Sequence, residues 1–298
     1  MNLPQKLKLN DEVIIIAPAR KVELESLEFA EKLLSKWGLK PVRSKNLMCN
    51  SGIFAGTEME RKQDLQWALD HKSAKAIWCF RGGYGSIQLL KELNPANFLI
   101  NPKWIIGFSD ITNIHCFSNI ILNTASVHAT MPINVSKNTP TTLDSLKKFL
   151  FKQVINYKIK SSTDNISGNV KAPLVGGNLS ILTSSLGTNY QPDFENKILF
   201  IEDIDEYIYK IDRMIWQLKF AGVFHQIKGL IIGHFTNIKD NSTAFGMSIE
   251  EIILQKVKEF DFPVIFNFPC GHENENLTLP FGIEMNLKVN SKTAELYN

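Results

Sequence analysis

The chain has 298 residues, which is enough for one large domain or two smaller ones with a substantial hydrophobic core. Hydrophobic residues make up 44% of it and charged residues 21%, an ordinary composition for a globular protein. The net charge of only +3 gives no reason to expect nucleic acid or an anionic membrane as a partner.

The chain opens with MNLPQKLKLNDEVIIIAPAR, in which the apolar run over 13–17 is only as long as a strand and follows two acids. We therefore expect no signal peptide, and no segment approaches the roughly 20 apolar residues of a membrane span. The four cysteines are far apart and show no C-x-x-C spacing. Incidental thiols in a reduced, cytoplasmic protein are the expectation.

Strands and helices alternate in the first half of the chain. Apolar runs predict strands over 12–17, 39–42, 74–80 and 104–106, and helical periodicity predicts helices over 23–37, 58–70, 86–92 and 111–122. Because the strands are almost continuously apolar, we expect a parallel sheet covered on both faces. A doubly wound α/β domain of the flavodoxin-like or Rossmann-like kind fits, with ligands at the carboxyl ends of the strands.

The pattern changes beyond residue 134. Polar, turn-rich sequence over 134–168 predicts a connector around a helix at 142–151. Short strands over 198–201, 229–232 and 264–266 are then mixed with helices over 179–186, 208–220 and 248–260. The last residues alternate like antiparallel strands with a turn at 290–291. A second domain, α/β or α+β, is predicted from about residue 165.

The stretch GFSDIT, residues 107–112, stands between a predicted strand and a predicted helix. A side chain at such a corner is exposed at the edge of the sheet, close to the N–H groups of the helix start, so Ser109 is a candidate nucleophile. The alternative is that Ser109 or Asp110 only caps the helix. The RGGYG turn over 81–85 could complete an oxyanion hole, or be a simple tight turn; it lacks the spacing of a nucleotide-binding loop.

A serine nucleophile needs a base, and the base needs an orienting acid. Of the six histidines, spacing leaves His128, His234 and His272 as equal candidates, because each follows a strand-like segment. Glu202 is the candidate acid because it comes directly after an apolar strand. No H-E-x-x-H motif or ligand-spaced Cys/His pair predicts a metal site. No basic stripe with interleaved aromatics predicts nucleic-acid binding.

Eight segments spread over most of the chain resemble, in order, the LD-carboxypeptidase family of serine peptidases (family S66), which includes the microcin self-immunity hydrolases. They are IIAPAR, RGGYGS, IIGFSDITNIH, SVHATM, PLVGGNLSILTSSLGT, ILFIEDIDEYIYKIDRMIWQL, GLIIGHF and FPCGHENENLTLPFG. The resemblance implies a flavodoxin-like N-terminal domain over 1–155 that carries the nucleophile. It also implies a smaller C-terminal α/β domain of the swivelling type over 165–298 that carries the acid and the base.

The resemblance also implies residue roles that spacing leaves open. Ser109 matches the family's nucleophile, Glu202 the acid that orients the base, and His272 the general base. The oxyanion hole is expected from the backbone N–H groups of Gly83 and Asp110.

The implied chemistry is release of the terminal D-alanine from a murein tetrapeptide, in the cytoplasm, by a homodimer that needs no cofactor. Arg81 and Arg213 are candidates for binding the substrate carboxylate, although each could instead be a structural ion-pair partner. The alternatives are a microcin-immunity-type hydrolase of peptidyl or aminoacyl nucleotides, a non-catalytic muropeptide-binding protein, and a nucleotide-binding Rossmann protein.

Overall fold

The computed structural model describes all 298 residues and contains two compact units. The N-terminal unit consists of Met1–Gln153 and Leu277–Gly282, and the C-terminal unit consists of Val154–Asn276 and Ile283–Asn298. The predicted C-terminal domain over 165–298 therefore loses a short segment to the other unit. The reason is that the strand Leu279–Phe281 pairs antiparallel with the strand Ser126–His128.

Strands and helices alternate through the N-terminal unit, as predicted. They are β1 (Glu12–Ile16), α1 (Leu24–Lys36), β2 (Lys40–Arg43), α2 (Glu58–Asp70), β3 (Ala76–Cys79), α3 (Ala96–Ile100), β4 (Trp104–Gly107), α4 (Thr112–Ile120), β5 (Ser126–His128) and α5 (Pro140–Lys152). The helix predicted over 86–92 is wrong, because the segment forms a single 3-10 turn at Ser86–Leu89 and α3 follows it.

The sheet of this unit has six strands. Its order is β11-β5-β4-β3-β1-β2, where β11 is Leu279–Phe281. All neighbours pair in parallel except β11, so the parallel part has the flavodoxin-like order 2-1-3-4-5. Strands β3 and β4 are buried along their whole length, which explains their unbroken apolar sequence. The carboxyl ends of β1, β3 and β4 lie at one edge of the sheet.

The C-terminal unit mixes strands with helices over the predicted segments 179–186, 208–220 and 248–260. Its elements are β6 (Asn156–Lys160), β7 (Gly168–Asn178), α6 (Leu179–Ser185), β8 (Ile198–Ile204), α7 (Ile208–Phe220), α8 (Val223–Gln226), β9 (Gly229–Thr236), α9 (Ile249–Val257), β10 (Val264–Ile265), β12 (Glu284–Val289) and β13 (Thr293–Tyr297). Strands β6 and β7 occupy part of the region predicted to be a connector.

The second sheet has seven strands in the order β10-β9-β8-β7-β12-β13-β6. The pairs from β10 to β7 are parallel, and the pairs from β7 to β6 are antiparallel. The β12–β13 hairpin confirms the predicted antiparallel ending of the chain. The two sheets together confirm a mixed α/β protein. None of its helices combines the length and the apolar character that crossing a bilayer requires.

Candidate active site

Ser109 lies at the turn that follows β4. The strand ends at Gly107, and Ser109 begins a 3-10 turn, Ser109–Ile111, that leads into α4. The φ angle of Ser109 is 63°, in the left-handed region that residues other than glycine rarely adopt. Ser109 is partly exposed, whereas Asp110 is buried. A strained strand-to-helix turn that exposes one hydroxyl is typical of a nucleophile elbow.

The RGGYG turn packs directly against the Ser109 turn. A Cβ atom on Gly82 would stand 3.1 Å from the backbone nitrogen of Asp110 and 3.1 Å from the Cβ of Ser109. Only glycine therefore allows the two turns to approach this closely. No main-chain hydrogen bond takes the N–H of Gly83 or of Asp110. The main chain therefore does not use either of the two N–H groups predicted to be oxyanion donors.

A buried network joins these two turns. The Asp110 carboxylate accepts hydrogen bonds from the Ser86 N–H at 2.9 Å and from the Asn113 amide at 3.3 Å. The Ser86 hydroxyl donates back to the Asp110 carbonyl oxygen at 2.7 Å. Burial raises the pKa of Asp110, and the hydrogen bonds from Ser86 partly oppose that rise. The side chain of Asp110 therefore helps to hold its own N–H in register with the RGGYG turn.

Arg61 supports the same region from α2, although no sequence motif points to it. It is buried, and its Nη1 donates to the carbonyl oxygens of Pro18 at 2.7 Å and Gly85 at 3.0 Å. Its Nη2 donates to Gln88 Oε1 at 2.7 Å. In sequence it is one charged residue in a helix rich in charged residues, so no local pattern marks it. It fixes the segment after β1 to the segment after β3.

In the C-terminal unit, Glu202 and His272 form a close pair. Glu202 Oε2 lies 2.6 Å from His272 Nδ1, the carboxylate is fully buried, and the imidazole side chain is 13% exposed. Burial of the ring opposes its protonation, but the charge and the hydrogen bond of Glu202 outweigh that effect and raise the pKa of His272 above its ordinary value. A carboxylate in this position fixes the orientation of the ring and stabilises its protonated form.

Two irregularities of the backbone make this pair possible. Strands β8 and β9 shift register at Glu202, so that Gly233 and His234 together lie opposite it. Such bulges are common beside active sites because they change the direction of a side chain. Gly271 has a φ of 138°, and a Cβ there would stand 3.3 Å from Glu202 Oε2. The chain can therefore pass close to the carboxylate and present His272 to it.

The other candidate histidines have different surroundings. His128 is fully buried in β5 and packs against the ring of Phe281 at a centroid distance of 5.7 Å. His234 is partly buried, and burial lowers its pKa. Among the three histidines that sequence spacing does not distinguish, His272 is the one that contacts the Glu202 carboxylate.

The two arginines considered for substrate binding both contact other side chains. Arg81 Nη1 lies 3.0 Å from Glu23 Oε1. Arg213 lies over the ring of Tyr209, with its Cζ 5.4 Å from the ring centroid. No cluster of three or more His, Cys, Asp or Glu side chains is arranged to hold a metal ion.

A strained serine turn and a buried carboxylate–imidazole pair are each found in hydrolases that use nucleophilic catalysis. Two family models match the chain, the LD-carboxypeptidase N-terminal domain over residues 13–129 and the LD-carboxypeptidase C-terminal domain over residues 171–287. The chain belongs to the LD-carboxypeptidase family and is a hydrolase of the carboxypeptidase class. The resemblance seen in the sequence is confirmed.

Relatives match over nearly the whole chain. A Bacillus subtilis protein named probable murein peptide carboxypeptidase is 31% identical over 98% of this chain and 93% of its own length. The murein tetrapeptide carboxypeptidase of Pseudomonas aeruginosa is 28% identical over 92% of each chain.

Solved structures confirm the predicted two-domain α/β fold. The muramoyltetrapeptide carboxypeptidase from Oxalobacter formigenes superposes with a TM-score of 0.87 at 27% identity, covering 96% of this chain and 98% of that one. The microcin C7 self immunity protein MccF superposes with a TM-score of 0.88 at 24% identity, over 100% of this chain and 99% of that one. The likeness to MccF shows a shared fold.

Proposed function

We propose that this protein is a serine-type LD-carboxypeptidase that removes the terminal D-alanine from murein tetrapeptides. The observation that carries the proposal is the pair formed by Glu202 and His272, with a fully buried carboxylate 2.6 Å from Nδ1 of the imidazole. An imidazole held through one nitrogen is oriented to exchange a proton through the other. The Pseudomonas and Oxalobacter relatives are named as carboxypeptidases of murein or muramoyl tetrapeptides, which supports such a peptide as substrate.

In the proposed reaction, the Ser109 hydroxyl attacks the carbonyl carbon on the acyl side of the bond to D-alanine. Its proton passes to His272, and Glu202 stabilises the imidazolium that forms. The oxyanion accepts hydrogen bonds from the N–H groups of Gly83 and Asp110, which have no main-chain acceptor. In this proposal Ser109 is the nucleophile, His272 the general base and Glu202 the acid that orients the base.

The second half of the reaction returns the enzyme to its starting state. His272 gives its proton to the leaving amine, D-alanine departs, and an acyl-enzyme ester on Ser109 remains. A water molecule then attacks the ester while His272 takes its proton. The C–O bond to Ser109 breaks, His272 returns its proton to the departing Ser109 oxygen, and the shortened peptide is released with a new carboxylate. Side chains of this protein transfer every proton, and its side chains and main-chain N–H groups stabilise the charges that form. We therefore propose that no cofactor is needed.

We further propose that the enzyme works in the cytoplasm as a homodimer, with the peptide as its partner molecule. All four cysteines are free thiols, which is typical of proteins that remain in a reducing compartment. Sedimentation velocity of the purified protein at several concentrations tests the oligomeric state. A single species at the mass of one chain at all concentrations would refute the dimer.

Mass spectrometry of a murein tetrapeptide after incubation with enzyme tests the reaction directly. We expect the wild type to remove one alanine and Ser109→Ala to leave the peptide intact. The matched control is Ser184→Ala, which removes an exposed hydroxyl on α6 that bonds only within its own helix; it should retain the wild-type rate. Equal product from the wild type and Ser109→Ala would refute the assignment of the nucleophile.

The same assay separates the alternatives. An aminoacyl-sulfamoyl adenosine offered in place of the tetrapeptide measures microcin-immunity-type activity; preferential cleavage of that compound would reject the proposal. A non-catalytic muropeptide-binding protein would bind the tetrapeptide without cleaving it and would not react with a fluorophosphonate probe. Labelling of the wild type but not of Ser109→Ala is the result we expect.

A further inference from the structure

A small cationic cavity lies at the edge of the N-terminal unit, beside the RGGYG turn. It has a volume of about 230 Å³ and is lined by Arg20, Lys21, Gly52, Ile53 and Arg81. Its walls are joined by backbone hydrogen bonds, from the Lys21 N–H to the Ile53 carbonyl oxygen at 3.2 Å and from the Ala55 N–H to the Ala19 carbonyl oxygen at 3.1 Å. The cavity is therefore formed by a short paired ribbon rather than by independent loops.

Only one of the three cationic side chains in this cavity forms an ion pair. Arg81 is paired with Glu23 at 3.0 Å, whereas Arg20 and Lys21 form no ion pair and are exposed. Three cations and one acid leave an excess of two positive charges. An exposed, unpaired guanidinium in a concave site is suited to a planar anion such as a carboxylate, which it can bind through two parallel hydrogen bonds.

Arg20 also lies against the glycine that we propose as an oxyanion donor. Its Cδ is 2.6 Å and its Nε 2.7 Å from the position that a Cβ on Gly83 would occupy. The side chain of Arg20 thus covers the face of Gly83 and occupies the space that a side chain there would need. A group bound by Arg20 would therefore lie close to Gly83.

The covalent geometry of the peptide indicates which of its groups would lie beside Arg20. In a peptide that loses its last residue, the terminal carboxyl carbon is three bonds from the attacked carbonyl carbon, which is about 4 Å at most. A free terminal carboxylate must therefore bind immediately beside the oxyanion donors. Of the two unpaired cations, Arg20 is the one that lies against Gly83. The exposed side chain of Ile53 offers an apolar surface to a small side chain such as the methyl of alanine.

We propose that Arg20, in the cavity beside Gly83, binds the free terminal carboxylate of the peptide and so restricts the enzyme to removal of one terminal residue. The inference rests on the proposed function, because it takes the Gly83 N–H as an oxyanion donor. Arg20 would then hold the carboxylate for which Arg81 and Arg213 are the candidates by sequence.

The test compares two substrates that differ only at this carboxylate: a murein tetrapeptide ending in D-alanine and the same peptide ending in D-alanine amide. For the wild type we expect kcat/KM to be about 10- to 100-fold higher for the acid, since a hydrogen-bonded charge pair is worth that factor. In Arg20→Gln the ratio of the two kcat/KM values should fall towards one. Arg20→Lys, which keeps the charge but loses the fork, should retain part of the preference.

A control and a binding measurement make the result decisive. Lys72→Gln removes an exposed cation between α2 and β3, outside the cavity, and should keep the wild-type preference. In a Ser109→Ala background, calorimetry should show weaker binding of the acid when Arg20→Gln is added. An unchanged acid-to-amide ratio in Arg20→Gln, or no preference in the wild type, would overturn the carboxylate subsite alone. Failure of the wild type to cleave either peptide would refute the proposed function, and the subsite with it.

Discussion

Gly271→Ala is the sharpest test of how the backbone presents His272 to Glu202. An alanine Cβ at this position would stand 3.1 Å from the His234 Cβ and 3.3 Å from Glu202 Oε2. Both distances are shorter than usual, so the carboxylate or the loop must move by a few tenths of an ångström. The φ of 138° adds strain of about 1–3 kcal/mol for a residue other than glycine.

A displacement of Glu202 or of the loop should affect catalysis, because the hydrogen bond between His272 and Glu202 is already short, at 2.6 Å, and would be distorted. A misplacement of about 1 Å in a catalytic group can cost about 100-fold in rate, so for a movement of a few tenths of an ångström we expect Gly271→Ala to lower kcat by about 3- to 10-fold with little change in KM. Release of D-alanine measured under saturating tetrapeptide gives kcat, and urea unfolding gives the loss of stability.

The matched control for this variant is Gly246→Ala. Gly246 also has a positive φ, 81°, but no atom lies within 4 Å of the position of its added Cβ. It should therefore lose a similar amount of unfolding free energy while retaining the wild-type kcat. If the two variants lost kcat equally, or if Gly271→Ala kept the wild-type kcat, the proposed dependence on the His272–Glu202 contact would be wrong.

Three further outcomes follow from the same geometry. Glu202→Gln removes the charge that raises the pKa of His272, so kcat should fall by about 10³- to 10⁴-fold, and the pH below which kcat/KM is lost should be lower than in the wild type; a pH profile that does not move would contradict this. Arg61→Met leaves the carbonyl oxygens of Pro18 and Gly85 without their donor, so the unfolding free energy measured in urea should fall by about 3 kcal/mol and kcat should also fall, with Arg61→Lys intermediate. An unchanged kcat would show that the hydrogen bonds of Arg61 do not position the RGGYG turn. Burial lowers the pKa of His115 to about 4, so the unfolding free energy should fall by about 3 kcal/mol as pH drops from about 6.5 towards 4; His115→Gln should flatten that dependence in urea titrations, and an equal slope in both proteins would exclude His115 as its source.

The α/β character of the chain could be predicted because its buried strands are marked by local sequence. Strands β3 and β4 are covered on both faces, and this burial requires unbroken apolar runs. Strand β6 was missed because it alternates between exposed and half-buried residues within polar sequence. Its pairing partner, β13, lies at the other end of the unit's sequence, so no local pattern could indicate it.

The residues of the candidate site also differ in whether local sequence marks them. Ser109 and Glu202 are candidates by sequence because each lies where an apolar strand ends, and this position is visible in the sequence. His272 could not be separated from His128 and His234 by spacing, because the contact that distinguishes it is 70 residues distant in the chain. Arg61 was missed for a related reason, since its partners Pro18 and Gly85 are 43 and 24 residues away.

Two adjacent carboxylates on β8, Asp203 and the proposed orienting acid Glu202, differ in their hydrogen bonding. Asp203 accepts from the Asn178 amide at 2.9 Å, from the Ser180 hydroxyl at 2.7 Å and from the Ile204 N–H at 2.8 Å, so its charge is shared among fixed donors.

Glu202, by contrast, has its Oε1 buried without a hydrogen-bond partner, and its Oε2 faces His272. Leaving a buried oxygen unpartnered costs about 1–3 kcal/mol, and low polarity around the carboxylate strengthens its attraction for a positive ring. The stability lost in this way is offset when His272 becomes an imidazolium. The incomplete hydrogen bonding of Glu202 therefore links the free energy of its charge to the proton that nucleophilic attack would place on His272.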